Sequence, residues 1–362
     1  MPATNSRQEI FDFVESEILE VIDDLPLLSQ EEQNCGRFTR AAGYAMLATL
    51  YLNAEEWTGT ARWDDCITYC DHLINGDGGG QNGPIQLDDD IYKPFSNTNS
   101  EDSRENILVL SYDYMASGVK CGWAGDFYHF NQRYIYGGTD NGNDGVVVIP
   151  SAYDMFEDND LRKQNWMLIG PQYDYNTGEP VVGTSEYTGQ PLVFVREIMR
   201  YSEGDTTTST MYTGEENSGA RFNKYNPGPL SDPNYYGNDW VLYRLTEFYF
   251  DKAEALMHQN GGKATREAVD LINACRQRAF SAEDWPNEKY TTATLTLDEL
   301  LAERGREFIF EGKRRTDLIR FGKFLTESWW DHTPTTSEHL KIFPIPYDQT
   351  SLNPNLVQNE GY

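Results

Sequence analysis

Three glutamates spaced four residues apart are the first candidates for chemistry in this sequence. On a helix, Glu303, Glu307 and Glu311 would lie on one stripe. A catalytic carboxylic acid needs a raised pKa, which comes from an apolar site or from a second carboxylate. Guanidinium groups instead keep carboxylates ionised and form forked hydrogen bonds with them. Four arginines lie close by in the chain, so the pattern predicts a structural helix junction: Arg304, Arg306, Arg314 and Arg315.

The second group of candidates lies in the aromatic, glycine-punctuated segment 111–138. Flat rings stack on the apolar faces of pyranoses, while planar amides, carboxylates and guanidinium groups hydrogen-bond the hydroxyls. The segment therefore predicts glycan contact by some of its rings, with burial as the alternative for any single ring. A weaker patch follows at residues 166–175, which includes Tyr175. The glycan contacts predicted from both stretches are Trp123, Asp126, Phe127, Tyr128, Asn131, Arg133, Trp166 and Tyr173.

Other chemistry finds little support in the sequence. The five histidines are scattered without metal-ligand spacing, and no serine-nucleophile, P-loop or dinucleotide motif occurs. The stretch TDNGNDG (139–145) resembles a calcium loop. However, it has glycine at the third ligand position and Ser151 in place of the bidentate glutamate. We expect a turn there and predict no catalytic residue, metal or cofactor; calcium has no matching ligand motif.

The overall charge excludes several kinds of partner. The chain of 362 residues carries a formal net charge of −29, with a pI near 4.4. Such a surface repels phosphate backbones and anionic lipid headgroups, so a nucleic-acid-binding protein is not expected.

The five cysteines are odd in number and form no CxxC pair, which favours small buried thiols over disulfides. The polar opening MPATNSRQEI lacks a signal peptide and, taken literally, predicts a cytoplasmic chain.

Helical periodicity occurs at both ends of the chain. The first part, 1–76, predicts an amphipathic helix ended by Pro26, followed by two helices that resemble a tetratricopeptide unit. Another helical part, 236–326, predicts helices over 241–259, 264–280 and 296–312, the last with a capping box. The tail, 327–362, has three prolines within 343–362 and a fourth before them, and we expect it to be extended.

The middle of the chain, 77–235, is different in composition. It is rich in Gly, Asn, Asp, Ser, Thr and Tyr, and its many turn signals predict a loop-rich region. Short strands are predicted over 106–112, 146–150 and 191–198. Long ordered loops of this kind are usually functional. The sequence therefore predicts one mainly α domain, 1–362, whose helix pairs frame an irregular region that carries the predicted glycan-binding part.

Four stretches resemble motifs of the SusD/RagB family of outer-membrane glycan-binding lipoproteins. They occur in the family's order and are the early helix RAAGYAMLATLYL, the helix pair 241–279, the junction ERGREFIFEGKRRTDLIRFGKF and the ending FPIPYDQTSLNPNLVQNEGY. The resemblance implies a mainly α, tetratricopeptide-like fold and a non-catalytic protein. It also implies that the junction is scaffold, built on Glu303, Arg304, Glu307, Glu311, Arg314 and Asp317.

The resemblance further implies binding of an oligosaccharide or polysaccharide at the outward face of the outer membrane. The protein would be lipid-anchored and would deliver its ligand to a SusC-like TonB-dependent transporter for nutrient uptake. Three departures stand out. The lipidated cysteine and an earlier helical segment are not in this sequence, Arg315 and Thr316 replace an aromatic before Asp317, and glycan contacts vary within the family. The alternatives to this function are a glycoside hydrolase and a structural lid without sugar affinity.

Overall fold

A computed structural model describes residues 4–29, 31–112, 122, 124–200, 204–208, 214–230, 232–234, 236–330 and 332–362. Helices predominate at both ends of the chain, and short strands and turns predominate between them. The mainly helical fold class is thus confirmed. Within the described part of the chain, no helix is both long enough and apolar enough to cross a membrane.

The N-terminal part consists of four helices: α1 (Arg7–Val21), α2 (Arg40–Leu52), α3 (Ala54–Thr58) and α4 (Trp63–Ile74). A capping box starts α1, since Ser6 and Glu9 exchange hydrogen bonds between side chain and backbone. Helix α2 packs against α4. The α2 residues Ala41, Ala45 and Ala48 are fully buried, and such small side chains allow a second helix to approach closely.

The middle region has short helices at α5 (Asn99–Asp102), α6 (Ala124–Phe127), α7 (Arg133–Tyr136), α8 (Pro150–Tyr153) and α9 (Leu161–Asn165), and a 3-10 turn at Lys93–Phe95. The strands of the described chain pair two by two, and all except β1 and β10 lie in the middle region. They are β1 (Leu28–Ser29), β2 (Gly79–Gly80), β3 (Asn106–Leu110), β4 (Met167–Leu168), β5 (Gly170–Pro171), β6 (Val193–Phe194), β7 (Met199–Arg200), β8 (Asp205–Thr208), β9 (Arg221–Phe222) and β10 (Trp240–Arg244).

The three predicted strands of this region have different outcomes. The strand predicted over 106–112 is confirmed as β3, and the one predicted over 191–198 is reduced to β6. The strand predicted over 146–150 is wrong. Only Val148 forms an isolated bridge, to Ala220, and Pro150 then opens α8, because proline fits the first turn of a helix.

The C-terminal part contains α10 (Leu245–Gln259), α11 (Arg266–Arg276), a 3-10 turn (Gln277–Ala279), α12 (Trp285–Glu288), α13 (Leu297–Glu307) and α14 (Arg314–Arg320). The helix predicted from residue 241 begins at Leu245 instead. Residues 240–244 form β10, which pairs antiparallel with β3, so tertiary pairing overrides the local helical pattern.

Two further C-terminal predictions also need correction. The helix predicted to end near Gly312 ends at Glu307, and Phe310 and Gly312 adopt positive φ angles that turn the chain into α14. The tail is not wholly extended. It contains a 3-10 turn, Glu338–Lys341, and α15 (Tyr347–Leu352).

The main core joins these three parts. Helix α4 packs against both α2 and α10, and α10 packs against α11. Rings of the middle region, including Tyr128, Trp166 and Phe222, belong to the same apolar cluster as the residues of α2 and α4. The β3–β10 pair connects the loop-rich region to α10. That the chain forms a single domain composed of these parts stays a prediction.

Candidate functional site

A group of exposed rings lies where α7 meets a β-hairpin formed by residues 172–181. Tyr173 and Tyr175 are each 54% exposed, and Tyr134 is 36% exposed. Arg133 and Asn176 adjoin these rings. We call this group the tyrosine patch, consisting of Arg133, Tyr134, Tyr173, Tyr175 and Asn176. Exposed rings beside planar polar groups provide the two kinds of contact that sugars need.

Buried hydrogen bonds fix the position of α7. Gln132, just before the helix, donates from Nε2 to the carbonyl oxygen of Phe222 at 2.8 Å. At the other end of α7, the hydroxyl of Tyr136 donates to Oδ1 of Asn223 at 2.5 Å. Both donors are buried. The helix therefore rests on the chain around β9, and Arg133 and Tyr134 occupy its outer side.

The hairpin is stabilised by its own turn. The backbone N–H groups of Asn176 and Thr177 donate to Oδ1 of Asp174 at 2.8 and 2.9 Å. The N–H of Asp174 donates to the carbonyl oxygen of Glu179 at 2.9 Å. Tyr173 forms a bridge to Pro180, and Tyr175 lies in the turn that follows, with both rings more than half exposed.

Direct contacts join the hairpin to α7. The N–H of Tyr175 donates to the carbonyl oxygen of Tyr134 at 2.9 Å. Asn131 donates from Nδ2 to the carbonyl oxygen of Val182 at 2.7 Å. A β-carbon added to Gly137 would lie 3.1 Å from Cδ1 of Tyr175, so the tyrosine ring packs against this glycine. The two predicted aromatic stretches therefore meet in one surface.

Arg133 supplies the positive charge of the patch. Its guanidinium carbon lies 4.7 Å from the ring centroid of Tyr134, and its Nη2 donates to the Tyr134 hydroxyl at 2.9 Å. These contacts hold the guanidinium beside the Tyr134 ring. Its remaining N–H groups can donate to the hydroxyls of a sugar, which are good acceptors.

A buried histidine supports the loop that leads into α7. The backbone N–H of Asn131 donates to Nδ1 of His129 at 3.0 Å, so Nδ1 is the unprotonated nitrogen. Nε2 then donates to Oε2 of Glu216 at 3.0 Å. Burial lowers the pKa of His129 to about 4, despite the opposing effect of Glu216. The imidazole is therefore neutral near pH 7.

Three of the predicted glycan contacts are associated with the patch, and three others are not. Arg133 and Tyr173 belong to it, and Asn131 bonds to Val182, which directly follows the hairpin. Phe127 stacks on Phe222, with ring centroids 4.7 Å apart, and packs against the core. Tyr128 is 0% exposed, so its ring cannot stack on a sugar; its prediction as a glycan contact is corrected to a core position.

Trp166 requires the same correction. It is 1% exposed, and its Nε1 donates to the carbonyl oxygen of Ile91 at 3.3 Å. The ammonium nitrogen of Lys224 lies 3.8 Å from its ring centroid, where a sugar would otherwise stack. Asp126 is exposed on α6. Trp123 lies outside the described residues, and its predicted role stays a prediction.

The list of predicted glycan contacts left out Tyr134, Tyr175 and Asn176, although Tyr175 belonged to the weaker patch. The signal for Tyr175 was present in the sequence, because Tyr173 and Tyr175 alternate just before an Asn-Thr-Gly turn. That pattern predicts a hairpin with aromatic residues next to its turn. The contact between this hairpin and α7 joins residues about 40 positions apart, and local patterns carry no such information.

The three glutamates of the opening motif are buried and surrounded by cations. Glu303 accepts hydrogen bonds from Arg162 at 2.9 Å and from Arg306 at 2.7 Å. Burial alone would raise the pKa of Glu303, but Arg162, Arg306 and Arg276 hold it well below its usual range. Glu311 pairs with Lys224 and Arg244, which lower its pKa to about 2 against the effect of burial. Carboxylates held ionised and closed to solvent are suited to a structural role.

The arginines that surround these glutamates are mostly not the predicted ones. Glu307 pairs with Arg162 of α9 and Arg244 of β10, both distant in sequence. Arg304 instead pairs with Asp251 and Asp317. The guanidinium of Arg315 lies over the Phe343 ring, and Arg314 pairs with no described carboxylate. The cluster thus connects the middle region to the C-terminal helices, which is more than a local junction.

Within the described part of the chain, no cluster of three or more His, Cys, Asp or Glu side chains could hold a metal ion. In the calcium-like stretch, the carboxylate of Asp144 pairs with the buried Arg221. Cys66 and Cys70 are buried with their sulfur atoms 4.0 Å apart, as predicted for small core residues.

The sequence profile of the SusD family matches residues 64–362. The chain belongs to the SusD family. It is 26% identical over 395 aligned residues to the starch-binding protein SusD of Bacteroides thetaiotaomicron, with 100% of this chain and 67% of that protein covered. A SusD-like protein of Bacteroides ovatus is 20% identical, with 89% of this chain and 52% of that protein covered. The chain thus spans about two thirds or less of the length of these relatives.

Solved SusD-superfamily structures share the fold. A SusD superfamily protein from Parabacteroides distasonis matches with a TM-score of 0.72 and 18% identity, covering 98% of this chain and 69% of that chain. The surface glycan-binding protein A from Bacteroides thetaiotaomicron, in complex with laminarihexaose, matches with a TM-score of 0.64 and 20% identity. Its coverage is 98% of this chain and 70% of that chain.

Proposed function

We propose that this SusD-family protein binds a neutral oligosaccharide or polysaccharide at the tyrosine patch without cleaving it. The observation that carries the proposal is the exposure of Tyr134, Tyr173 and Tyr175 on one surface, beside the guanidinium of Arg133. Two related proteins, the starch-binding protein SusD and a surface glycan-binding protein in complex with laminarihexaose, support a glucan as the ligand.

The chemistry of the patch suits a sugar chain. The rings of Tyr173 and Tyr175 offer apolar faces, and the amide of Asn176 and the guanidinium of Arg133 offer hydrogen bonds. An extended surface of this kind contacts several sugar units at once. The neutral ligand follows from the net charge of −29, because an anionic polysaccharide would be repelled over the whole surface.

The cellular role that we propose is capture of glycan at the outward face of the outer membrane, by a lipid-anchored protein. The ligand would then pass to a SusC-like TonB-dependent transporter for nutrient uptake. Membership in the SusD family supports this role. Co-purification of the protein with such a transporter from detergent-solubilised outer membranes tests it. Recovery of the protein without any transporter would count against delivery, although not against glycan binding.

A polysaccharide panel tests the binding and the absence of cleavage together. In electrophoresis through gels that contain starch, laminarin or other neutral polysaccharides, at least one polysaccharide will retard the migration of the protein. Chromatography of the same glycan after long incubation will show no new oligosaccharides. Retardation by none of the polysaccharides would favour a structural lid, and product release that is lost on substitution of one acidic residue would show a glycoside hydrolase.

A further inference from the structure

A cavity lies away from the tyrosine patch, between α8, α13, α14 and the segment 323–329. Its volume is about 530 Å³, within the usual range for sites that hold small molecules. None of the patch residues lines it. Most of its wall is apolar, formed by Ile149, Ala152, Met155, Leu301, Leu318 and Trp329.

One guanidinium interrupts this apolar wall. Arg314 donates from Nη1 to the carbonyl oxygen of Leu301 at 2.7 Å, and within the described chain it has no carboxylate in ion-pair range. The other arginines near it differ: Arg304 and Arg320 both pair with Asp317. Because a guanidinium carries five N–H donors, Arg314 has several left for a ligand.

The position of Arg314 is fixed by the helix beneath it. A β-carbon added to Gly305 of α13 would lie 2.9 Å from Nη1 of Arg314 and 2.8 Å from Cε of Met155. Glycine at this position therefore lets the guanidinium rest against the helix backbone. A donor group held in place before binding loses little freedom when a ligand arrives.

The remaining charged groups of the cavity already have partners. The ammonium of Lys323 pairs with Asp298 at 3.1 Å and with Glu327 at 3.0 Å. The lining also includes the hydroxyl groups of Ser151 and Ser328, which can donate to an anion. The two acidic side chains at Lys323 oppose a ligand with two negative charges, so a single negative charge fits best.

We infer that this cavity binds a small monocarboxylate with an apolar body. The carboxylate would accept hydrogen bonds from Arg314, since carboxylate and guanidinium match in geometry. The apolar body would lie against Ile149, Met155 and Leu318. A medium-chain fatty acid and the C-terminus of a short apolar peptide share this chemistry. The site goes beyond the proposed glycan binding and is separate from it.

Titration of the whole protein with matched pairs of probes tests the inference. The probes are octanoate against octanamide, and N-acetyl-Ala-Leu-Phe with a free carboxylate against its amide. We expect at least one acid to bind about tenfold or more tightly than its amide, because the charge-assisted hydrogen bond is lost in the amide. The acid that binds identifies the source as fatty acid or peptide. Absence of binding by both acids, or equal binding by acid and amide, overturns the inference.

Two variants locate the site. Arg314→Gln should weaken binding of the acid about tenfold, whereas the neighbouring Arg315→Gln should leave it unchanged, because Arg315 lies over Phe343 instead. If Arg314→Gln fails to fold, Ala302→Trp provides the second test, since Ala302 lines the cavity and the larger ring would fill it. Undiminished acid binding in folded Arg314→Gln, or in folded Ala302→Trp, overturns the assignment. Glycan retardation should be unchanged in both variants.

Discussion

His129 shows how a single buried residue supports the candidate site. Its two ring nitrogens bond to the Asn131 backbone and to Glu216, and Glu216 also accepts from the N–H groups of Thr184 and Ser185 at 2.9 Å. The imidazole thus connects the loop before α7 to the chain that follows the hairpin. Protonation of Nδ1 would break the bond from Asn131, because two donors would then face each other.

We predict a pH-dependent contribution of His129 to stability. Its pKa is about 4 in the folded protein and 6.5 when exposed, so the unfolded chain binds a proton first as the pH falls. The free energy of unfolding therefore decreases from pH 6.5 to 4, by roughly 3 kcal/mol from this residue. Urea unfolding at several pH values should show a smaller decrease in His129→Gln. Equal decreases in the two proteins would contradict the assignment.

Gly137 and Gly178 allow the effect of backbone conformation to be measured separately from the effect of packing against a neighbouring ring. Both adopt left-handed φ angles, +73° and +72°, but only Gly137 adjoins the Tyr175 ring. Substitution by alanine at either position should cost about 1 kcal/mol of stability. Only Gly137→Ala should also weaken glycan binding, because the new methyl group displaces Tyr175. Titration of both variants checks this, and equal effects on binding would refute the packing role.

The buried ion-pair cluster makes a second element-scale prediction. Arg162 is fully buried and pairs with Asp160, Glu303 and Glu307. Arg162→Met should lower the free energy of unfolding by about 3–5 kcal/mol, because it leaves buried carboxylates without a partner. The exposed pair of Arg266 and Asp270 provides the control, and Arg266→Met should change stability by less than about 1 kcal/mol. Denaturant titration measures both losses in the free energy of unfolding, and similar losses in the two variants would contradict the structural role of the buried cluster.

The extent to which sequence predicted these elements differs between regions. Helix periodicity and capping signals placed α10, α11 and the start of α13 to within a few residues, because those signals are local. The strand β10 was missed because its pairing with β3 connects residues about 130 positions apart. For the same reason, the burial of Tyr128 and Trp166 could not be inferred from their neighbours in sequence, whereas the scaffold role of Glu303 followed from nearby charges.

At the scale of the whole molecule, charge should determine which glycans bind. The net charge of −29 repels anionic polymers, while a neutral glucan experiences no such force. Affinity for a neutral polysaccharide should therefore change less than about twofold when salt is raised from about 20 mM to about 500 mM. Affinity for a sulfated or uronic-acid polysaccharide should be lower at low salt and increase as salt is added. Gel retardation at several salt concentrations measures both. Strong binding of an anionic glycan at low salt would contradict this preference.

The most direct test of the account is calorimetric titration of the wild-type protein and the Tyr134→Ala/Tyr175→Ala variant with the polysaccharide that retards it. Tyr347→Ala is the control, because Tyr347 is 82% exposed but lies on the C-terminal tail. We predict that the double variant loses about 1–3 kcal/mol or more of binding free energy while remaining folded, and that the control binds as wild type. Unchanged affinity in the folded double variant would show that the glycan binds elsewhere and would contradict the assignment of the tyrosine patch.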